Sequence, residues 1–154
     1  MTKTIKKTSS YDVRNKLNDL TGAEWKFWTR SVISKIYPSN LQHALRSQHG
    51  GQKPPALCAD LIKLFSKKGQ TVLDPLAGVG GTLLGAALCG RKAIGIELNK
   101  EWINIYKRVC KLENLQEFPL LLGDANKKLP EIKKNSIDFV LTDVPYWIRD
   151  QLAQ

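Results

Sequence analysis

The feature that most constrains the fold is a glycine-rich turn between two apolar segments, within residues 71–88. A β-branched and apolar run ends in Asp74, and glycines at positions 78, 80 and 81 lead into a second apolar run over residues 83–88. This order is typical of a β-strand, a tight turn and a helix N-terminus. Gly78 and Gly80 can adopt positive φ angles, and the first N–H groups of the helix are free donors. The stretch predicts a nucleotide-type pocket, with an ordinary tight connection as the alternative.

A second apolar run supports the pocket. Residues 93–96 have the composition of a buried strand, and Glu97 stands at its end, 19 residues after Gly78. An acidic side chain at this place is suited to accept hydrogen bonds from both hydroxyls of a ribose. Together, the turn and Glu97 predict a site for an adenosine-containing cofactor.

Positive charge is concentrated in the first third of the chain. The formal net charge is +10 over 154 residues, and residues 1–53 hold ten Lys and Arg against three Asp and Glu, a balance of +7. Such a distribution favours a polyanionic partner, because neutralised phosphates release condensed counterions. A solvated basic tail is the alternative.

The other compositional signals indicate an ordinary globular domain. No apolar run approaches the roughly 20 residues that span a bilayer, and residues 1–10 lack the apolar centre of a signal peptide. We therefore expect no membrane association and a cytoplasmic location. Cys58, Cys89 and Cys110 are widely spaced in apolar surroundings, so we expect reduced packing residues and no metal site.

The residues before the glycine turn divide into three segments. We expect a disordered basic tail at 1–10, a helical extension and loop at 11–52, and an α/β domain at 53–154. Thr21 and Glu24 have the spacing of a capping box, and the apolar positions 25, 28, 32 and 36 predict a helix that ends before Tyr37, with its tryptophans in the core. A mobile polar connection is expected at 41–52. A helix is expected after Lys53 and Pro54.

The remaining pattern predicts a parallel sheet. Strands are expected at residues 71–74, 93–96, 118–122 and 137–142, with helical segments between the first three and a short irregular segment before the fourth. Right-handed crossovers give the strand order 3-2-1-4, the first half of a doubly wound α/β sheet. This order brings residues 74, 97, 124 and 143 to the same edge of the sheet.

The residues at this edge carry a family resemblance. Residues 74–82 resemble the cofactor motif of DNA amino-methyltransferases, which use S-adenosylmethionine to modify exocyclic nitrogens of adenine or cytosine. Residues 97–99, 123–125 and 142–147 are similar to later motifs of that family, in the same order. The resemblance covers residues 11–150. It implies a Rossmann-like methyltransferase fold, S-adenosylmethionine as cofactor, DNA as partner and a role in restriction-modification.

The resemblance also implies the roles of individual residues. The implied cofactor-binding residues are Lys53, Pro54, Asp74, Pro75, Gly78, Gly80, Thr82, Glu97, Leu98, Asp124 and Ala125, with Asp124 bonded to the adenine amino group. The implied catalytic residues are Asp143, Val144, Pro145 and Tyr146. Asp143 and the Val144 carbonyl would accept hydrogen bonds from the target amino group, and Tyr146 would stack on the flipped base. Val144 replaces the usual first proline of this motif, so the loop is less preorganised.

The end of the sequence leads to a further expectation. Eight residues follow Tyr146, and a complete sheet of this class needs further strands. We therefore expect an incomplete methyltransferase domain whose partner chain or C-terminal half carries target recognition. Two alternatives stay open, an RNA methyltransferase acting on a guanine amino group and a catalytically inactive remnant that binds cofactor or nucleic acid.

Overall fold

Four parallel strands form the centre of the molecule. The computed structural model describes residues 12–28 and 32–144. The strands are β1 (Thr71–Asp74), β2 (Lys92–Glu97), β3 (Leu120–Leu122) and β4 (Phe139–Val140), in the order β3-β2-β1-β4. Leu73 of β1 pairs with Ile94 of β2 and with Val140 of β4. The predicted α/β fold and strand order are confirmed, although β3 and β4 are shorter than expected.

Helices and short turns connect and cover these strands. In the described residues, the α-helices are α1 (Gly22–Trp28), α2 (His43–Arg46), α3 (Pro55–Phe65), α4 (Gly81–Cys89), α5 (Lys100–Leu112) and α6 (Ala125–Lys128). Short 3-10 helices follow α2 (Ser47–His49) and α6 (Leu129–Glu131). The short irregular segment predicted before the fourth strand consists of α6 and the 3-10 helix that follows it.

Helix α4 is buried because it lies between the sheet and α3. Ile62 of α3, Leu83 and Leu84 of α4 and Val72 of β1 are all fully buried in one core. A helix that is apolar on all sides is expected in such a position. Its start depends on Gly80, whose φ is 77° and where a Cβ atom would lie 2.3 Å from the Tyr106 ring. Any other residue at position 80 would displace the start of α4.

Helix α5 has one buried face and one charged face. Asn99 caps its N-terminus, because the Asn99 side chain accepts a hydrogen bond of 2.8 Å from the Glu101 N–H. Tyr106 is fully buried and its hydroxyl accepts a 2.7 Å hydrogen bond from the Phe118 N–H. That bond fixes the chain just before β3.

The N-terminal extension differs from its prediction. The capping box is present, since the Thr21 N–H donates to the Glu24 carboxylate at 2.8 Å. However, α1 ends at Trp28 and has no buried residue, so the predicted core role of Trp25 and Trp28 is wrong. Residues 32–40 have no helix or strand, and Val32 and Ile36 are 72% and 93% exposed.

The apolar side chains of α1 are only partly packed, since Trp25 and Trp28 are half-buried and Phe27 is 56% exposed. A single short helix is marginal without such packing. In the segment that follows, the Lys35 ammonium donates to the Asp60 carboxylate of α3 at 2.6 Å and stands 5.1 Å from the centre of the Tyr37 ring. These contacts favour an extended backbone over a continued helix.

The polar connection before α3 is more ordered than predicted. It contains α2 and the 3-10 helix, and Arg46 is buried, with its guanidinium donating to the carbonyl oxygens of Asn40 and Leu41. The segment boundaries at residues 10 and 52 stay predictions.

The cysteines behave as expected. Cys58, Cys89 and Cys110 are free and buried, and burial raises the pKa of the Cys58 thiol to about 11. Among the described residues, no helix combines the length and the apolar character needed to cross a bilayer.

Candidate functional site at the carboxyl edge of the sheet

The carboxyl edge of the sheet borders a cavity of about 810 Å³. Its volume falls within the range of roughly 300–1,000 Å³ that is usual for small-molecule sites. The predicted site residues that line it are Lys53, Pro75, Gly78, Glu97, Leu98, Asp124, Ala125, Asp143 and Val144. The topology therefore brings together residues from the ends of all four strands, as the predicted strand order required.

The glycine turn and the end of β2 are linked by a carboxylate. Gly78 has a φ of 53°, and its N–H donates to Glu97 Oε2 at 2.8 Å. The Asn99 N–H donates to Glu97 Oε1 at the same distance, 2.8 Å. Because each carboxylate oxygen can accept two hydrogen bonds, both oxygens of Glu97 keep one position that no described residue occupies. The carboxylate is fixed in place and can still accept two hydroxyl donors.

Asp124 is fixed in a similar way at the end of β3. It is the N-cap of α6, and its Oδ1 accepts a 2.9 Å hydrogen bond from the Asn126 N–H. Its second oxygen accepts no hydrogen bond from any residue that the structure describes. Asp124 therefore presents an oriented acceptor to the cavity.

Asp74 lies behind the cavity wall and joins three segments. The side chain is fully buried, and its Oδ2 accepts hydrogen bonds from Lys53 Nζ at 3.0 Å and Thr82 Oγ1 at 2.6 Å. Its Oδ1 accepts from the Leu76 N–H at 3.1 Å and from Thr142 Oγ1 at 2.9 Å. Four donors occupy the four acceptor positions of the carboxylate.

His49 and Gln52 also line the cavity, a role that the sequence analysis did not give them. His49 Nδ1 and Gln52 Oε1 are buried, and neither has a hydrogen-bond partner in the described part of the chain. The His49 ring makes an edge contact with Trp102, with the ring centres 5.1 Å apart, and lies against Gly78. Buried polar atoms are nearly always bonded in folded proteins, so these two atoms need a ligand group or an ordered water as a partner.

The sequence contains one signal for these two residues. His49 and Gln52 flank the Gly50-Gly51 pair, directly before the predicted cofactor residues Lys53 and Pro54. A flexible pair next to a predicted binding segment is a place where loop side chains can turn towards a ligand.

The charge of the lining is mostly negative. Glu97, Asp124 and Asp143 contribute three carboxylates, and Lys53 contributes the single ammonium group among the described lining residues. The lining therefore favours a ligand that carries positive charge. In residues 12–28 and 32–144, no group of three or more His, Cys, Asp and Glu side chains is arranged to hold a metal ion.

Comparison with known proteins identifies the family. The sequence profile of a family described as DNA methylase matches residues 2–108, more than half of the 154-residue chain. The chain belongs to this DNA methylase family. The family resemblance stated from the motifs is thereby confirmed.

Curated relatives agree with the family. The type II methyltransferase M2.DpnII of Streptococcus pneumoniae is 34% identical over 106 residues, which cover 68% of this chain and 37% of the relative. The DNA adenine methyltransferase YhdJ of Escherichia coli is 47% identical over 88 residues, 57% of this chain and 30% of the relative. A tRNA (guanine(10)-N2)-dimethyltransferase of Methanocaldococcus jannaschii is 30% identical over 125 residues, 74% of this chain and 34% of the relative.

This chain spans about a third of the length of these three relatives. Among solved structures, TrmN from Thermus thermophilus matches with a TM-score of 0.59 and 21% identity, over 77% of this chain and 36% of that one. A likeness at that identity concerns the fold, and it agrees with the parallel sheet described above.

The remaining predicted site residues fall outside the cavity lining or outside the described residues. Pro54, Asp74, Gly80 and Thr82 do not line the cavity, and their predicted part in cofactor binding stays a prediction. In the structure Pro54 is the N-cap of α3, Gly80 is the N-cap of α4, and Thr82 is bonded to Asp74. Pro145 and Tyr146 lie outside the residues that the structure describes.

Proposed function

We propose that the chain is part of an S-adenosylmethionine-dependent methyltransferase that modifies an exocyclic amino nitrogen of adenine or cytosine in DNA. The observation that carries this proposal is the convergence of Glu97, Asp124 and Asp143 on one cavity beside the glycine turn. Two of these carboxylates suit a nucleoside, and the third suits an amino group. Membership of the DNA methylase family supports the same reaction.

The cavity fits the adenosine part of the cofactor. Glu97 has one free acceptor position on each oxygen, which matches the two vicinal hydroxyls of a ribose. Asp124 offers its free oxygen to the adenine amino group. The acidic lining suits a sulfonium cation.

His49 and Gln52 suit the amino-acid end of the cofactor. The carbonyl oxygen of Lys53 lies so close to Gly81 that a Cβ there would be 2.7 Å away, while His49 lies against Gly78. Residues 49–53 therefore run along the glycine turn. Their unpartnered atoms, His49 Nδ1 and Gln52 Oε1, border the cavity beside that turn, where an α-ammonium group would provide hydrogen-bond donors.

The chemistry requires help at the target nitrogen. Bound S-adenosylmethionine supplies an electrophilic methyl group. An exocyclic amino group is a weak nucleophile, because its lone pair is delocalised into the ring. Acceptors for its two N–H bonds make the nitrogen more tetrahedral and free the lone pair for attack. We assign the Asp143 carboxylate and the Val144 carbonyl to that task.

The proton that the nitrogen loses also needs an acceptor. Asp143 is exposed at the mouth of the cavity, so a proton taken up by its carboxylate can pass to solvent. Pro145 and Tyr146, proposed to stiffen the turn and to stack on the base, complete the motif as predictions.

A second substrate class has a specific observation in its favour. Several matched relatives are tRNA (guanine(10)-N2)-dimethyltransferases, including the one from Methanocaldococcus jannaschii. A guanine amino group would need the same pair of acceptors. The DNA proposal takes precedence because the family profile is that of DNA methylases.

Partners and location complete the proposal. The basic N-terminal third, with its balance of +7, suits contact with nucleic acid phosphates. A complementary chain or segment that carries target recognition stays a prediction, as does the cytoplasmic location.

Calorimetric titration with S-adenosylhomocysteine tests the cofactor site. We expect a dissociation constant in the micromolar range for the 154-residue chain. The Asp143→Ala variant should bind within about threefold of that value, because Asp143 is assigned to the target nitrogen. No binding by a chain that circular dichroism shows to be folded would refute the cofactor proposal.

Methyl transfer to duplex DNA and to tRNA, measured side by side, tests the substrate. We expect transfer to DNA and its loss in Asp143→Ala. Transfer to tRNA alone would replace the first substrate proposal by the second.

A further inference from the structure

The last part of β4 has few links to the rest of the molecule. Strand β4 is the edge of the sheet and pairs with β1 only through Phe139 and Val140. One more backbone hydrogen bond follows, from the Leu141 N–H to the Leu73 carbonyl at 3.0 Å. Within the described residues, no backbone hydrogen bond is made by Thr142, Asp143 or Val144. The segment that carries the proposed catalytic groups therefore leaves the sheet at Leu141.

Two side-chain hydrogen bonds continue the connection, and the first runs from Thr82 Oγ1 to the Leu141 carbonyl at 3.4 Å. Thr142 Oγ1 donates a 2.9 Å hydrogen bond to Oδ1 of Asp74. Asp74 is a firm anchor, because it is fully buried and three further donors fix its position. Thr142 itself is exposed, so the bond reaches from the surface to a fixed buried charge.

Asp74 is also bonded to residues on the cofactor side of the cavity. Lys53, which lines the cavity, donates to the other oxygen of Asp74, and so does Thr82 from the first turn of α4. One carboxylate thus contacts the wall of the cofactor site and the residue next to Asp143. Such a junction can set the distance between the two halves of an active site.

We propose that Thr142 is a positioning residue that holds Asp143 and Val144 at the cavity through its hydrogen bond to Asp74. The inference rests on the proposed function, since Asp143 and Val144 owe their catalytic assignment to it. It adds a residue that contacts neither the cofactor nor the target base.

Backbone order parameters from ¹⁵N relaxation of the whole chain, without any ligand, test this role. We expect the Asp143 and Val144 amides to have values above about 0.8 in the native chain and below about 0.6 in Thr142→Val. Thr142→Ser keeps the hydroxyl and should restore the native values. Thr71→Val is the matched control, because Thr71 begins β1 and binds Asp138 through its backbone N–H.

The variants should fold, since Thr142 is exposed and valine has nearly the shape of threonine. Unchanged order parameters at Asp143 in Thr142→Val would overturn the proposal. Values below about 0.6 in the native chain would also overturn it, as would failure of Thr142→Ser to restore them.

A titration with S-adenosylhomocysteine separates this inference from the proposed function. Thr142 does not line the cavity, so Thr142→Val should bind within about twofold of the native chain. No binding by the native chain would refute the cofactor site, whereas the order parameters report on Thr142 alone.

Discussion

The two sides of the cavity are built very differently. On the side of β1 and β2, Gly78 and Glu97 are bonded to each other, and the turn rests on a fully buried core. On the side of β4, Asp143 and Val144 are exposed, and Val144 is 67% exposed. In the described residues, two side-chain hydrogen bonds link the end of β4 to the first side, one from Thr142 to Asp74 at 2.9 Å and one from Thr82 to the Leu141 carbonyl at 3.4 Å.

The two sides are assigned different tasks: the β1 and β2 side binds the cofactor, and the β4 side carries the groups for the chemistry. Glu97 and Asp124, which are assigned to the adenosine part of the cofactor, are held by hydrogen bonds to backbone N–H groups, so they are preorganised before any ligand arrives. The groups assigned to the target nitrogen depend on few contacts. Changes on the first side should therefore alter affinity or stability, while changes on the second should alter the position of Asp143.

The largest effect is expected at Asp74, the carboxylate to which residues of both sides are bonded. Lys53→Met removes the ammonium group beside the fully buried Asp74, to which it is bonded at 3.0 Å. We expect a loss of about 3 kcal/mol in the free energy of unfolding, because a buried carboxylate loses its counter-charge. Urea denaturation measures it.

The control for this substitution is Lys107→Met. Lys107 forms an exposed pair with Glu117 at 3.9 Å, and its removal should cost less than about 0.5 kcal/mol. Equal losses in both variants would mean that the buried Lys53–Asp74 pair contributes no more to stability than an exposed pair.

A smaller effect, confined to the cofactor side, is expected for Gly78→Val. The φ of 53° disfavours valine, and a Cβ would lie 2.9 Å from His49 Nε2. We expect the affinity for S-adenosylhomocysteine to fall at least about 100-fold, or about 2.7 kcal/mol. Calorimetry measures it.

Gly69→Val is the matched control for backbone strain. Gly69 has a φ of 80°, but a Cβ there meets no atom within 4 Å, and it lies away from the cavity lining. This variant should lose stability and keep its affinity within about twofold. A similar loss of affinity at both positions would contradict a local role for Gly78.

The smallest effect is expected for binding of the amino-acid end of the cofactor. Gln52→Ala removes the unpartnered Oε1 that borders the cavity, and we expect about a tenfold weaker affinity for S-adenosylhomocysteine. Binding of 5′-methylthioadenosine, which lacks the amino-acid end, should not change. Gln48→Ala, at an exposed position in the same segment, should leave both affinities unchanged. Equal weakening for both ligands would remove the assignment of Gln52 to the amino-acid end.

The sequence predicted the parts of the molecule that local patterns determine. Apolar strands between helical segments led to the strand order, and the glycine turn with Glu97 led to the carboxyl edge. These signals are strong because parallel strands are buried and because a tight turn at Gly78 and Gly80 needs positive φ angles. The placement of Asp124 and Asp143 beside Glu97 followed from topology.

Other features depended on contacts that no local pattern contains. The helix predicted to end before Tyr37 stops at Trp28, and the segment that follows pairs Lys35 with Asp60, 25 positions away. The side chains of His49 and Gln52 face the cavity only because residues 49–53 run along the glycine turn. The bond from Thr142 to Asp74 spans 68 positions. It can form only when β4 is paired with β1.

All four acceptor positions of the Asp74 carboxylate are occupied, and this limits which residues can replace Asp74. An asparagine there would replace one acceptor oxygen by an NH2 group that faces donors, and a glutamate would need more room in a fully buried place. Drift at position 74 is therefore coupled to positions 53, 82 and 142, whose side chains supply three of its four donors. In an alignment of relatives, we expect these four positions to covary, with serine and threonine exchanging at the exposed position 142.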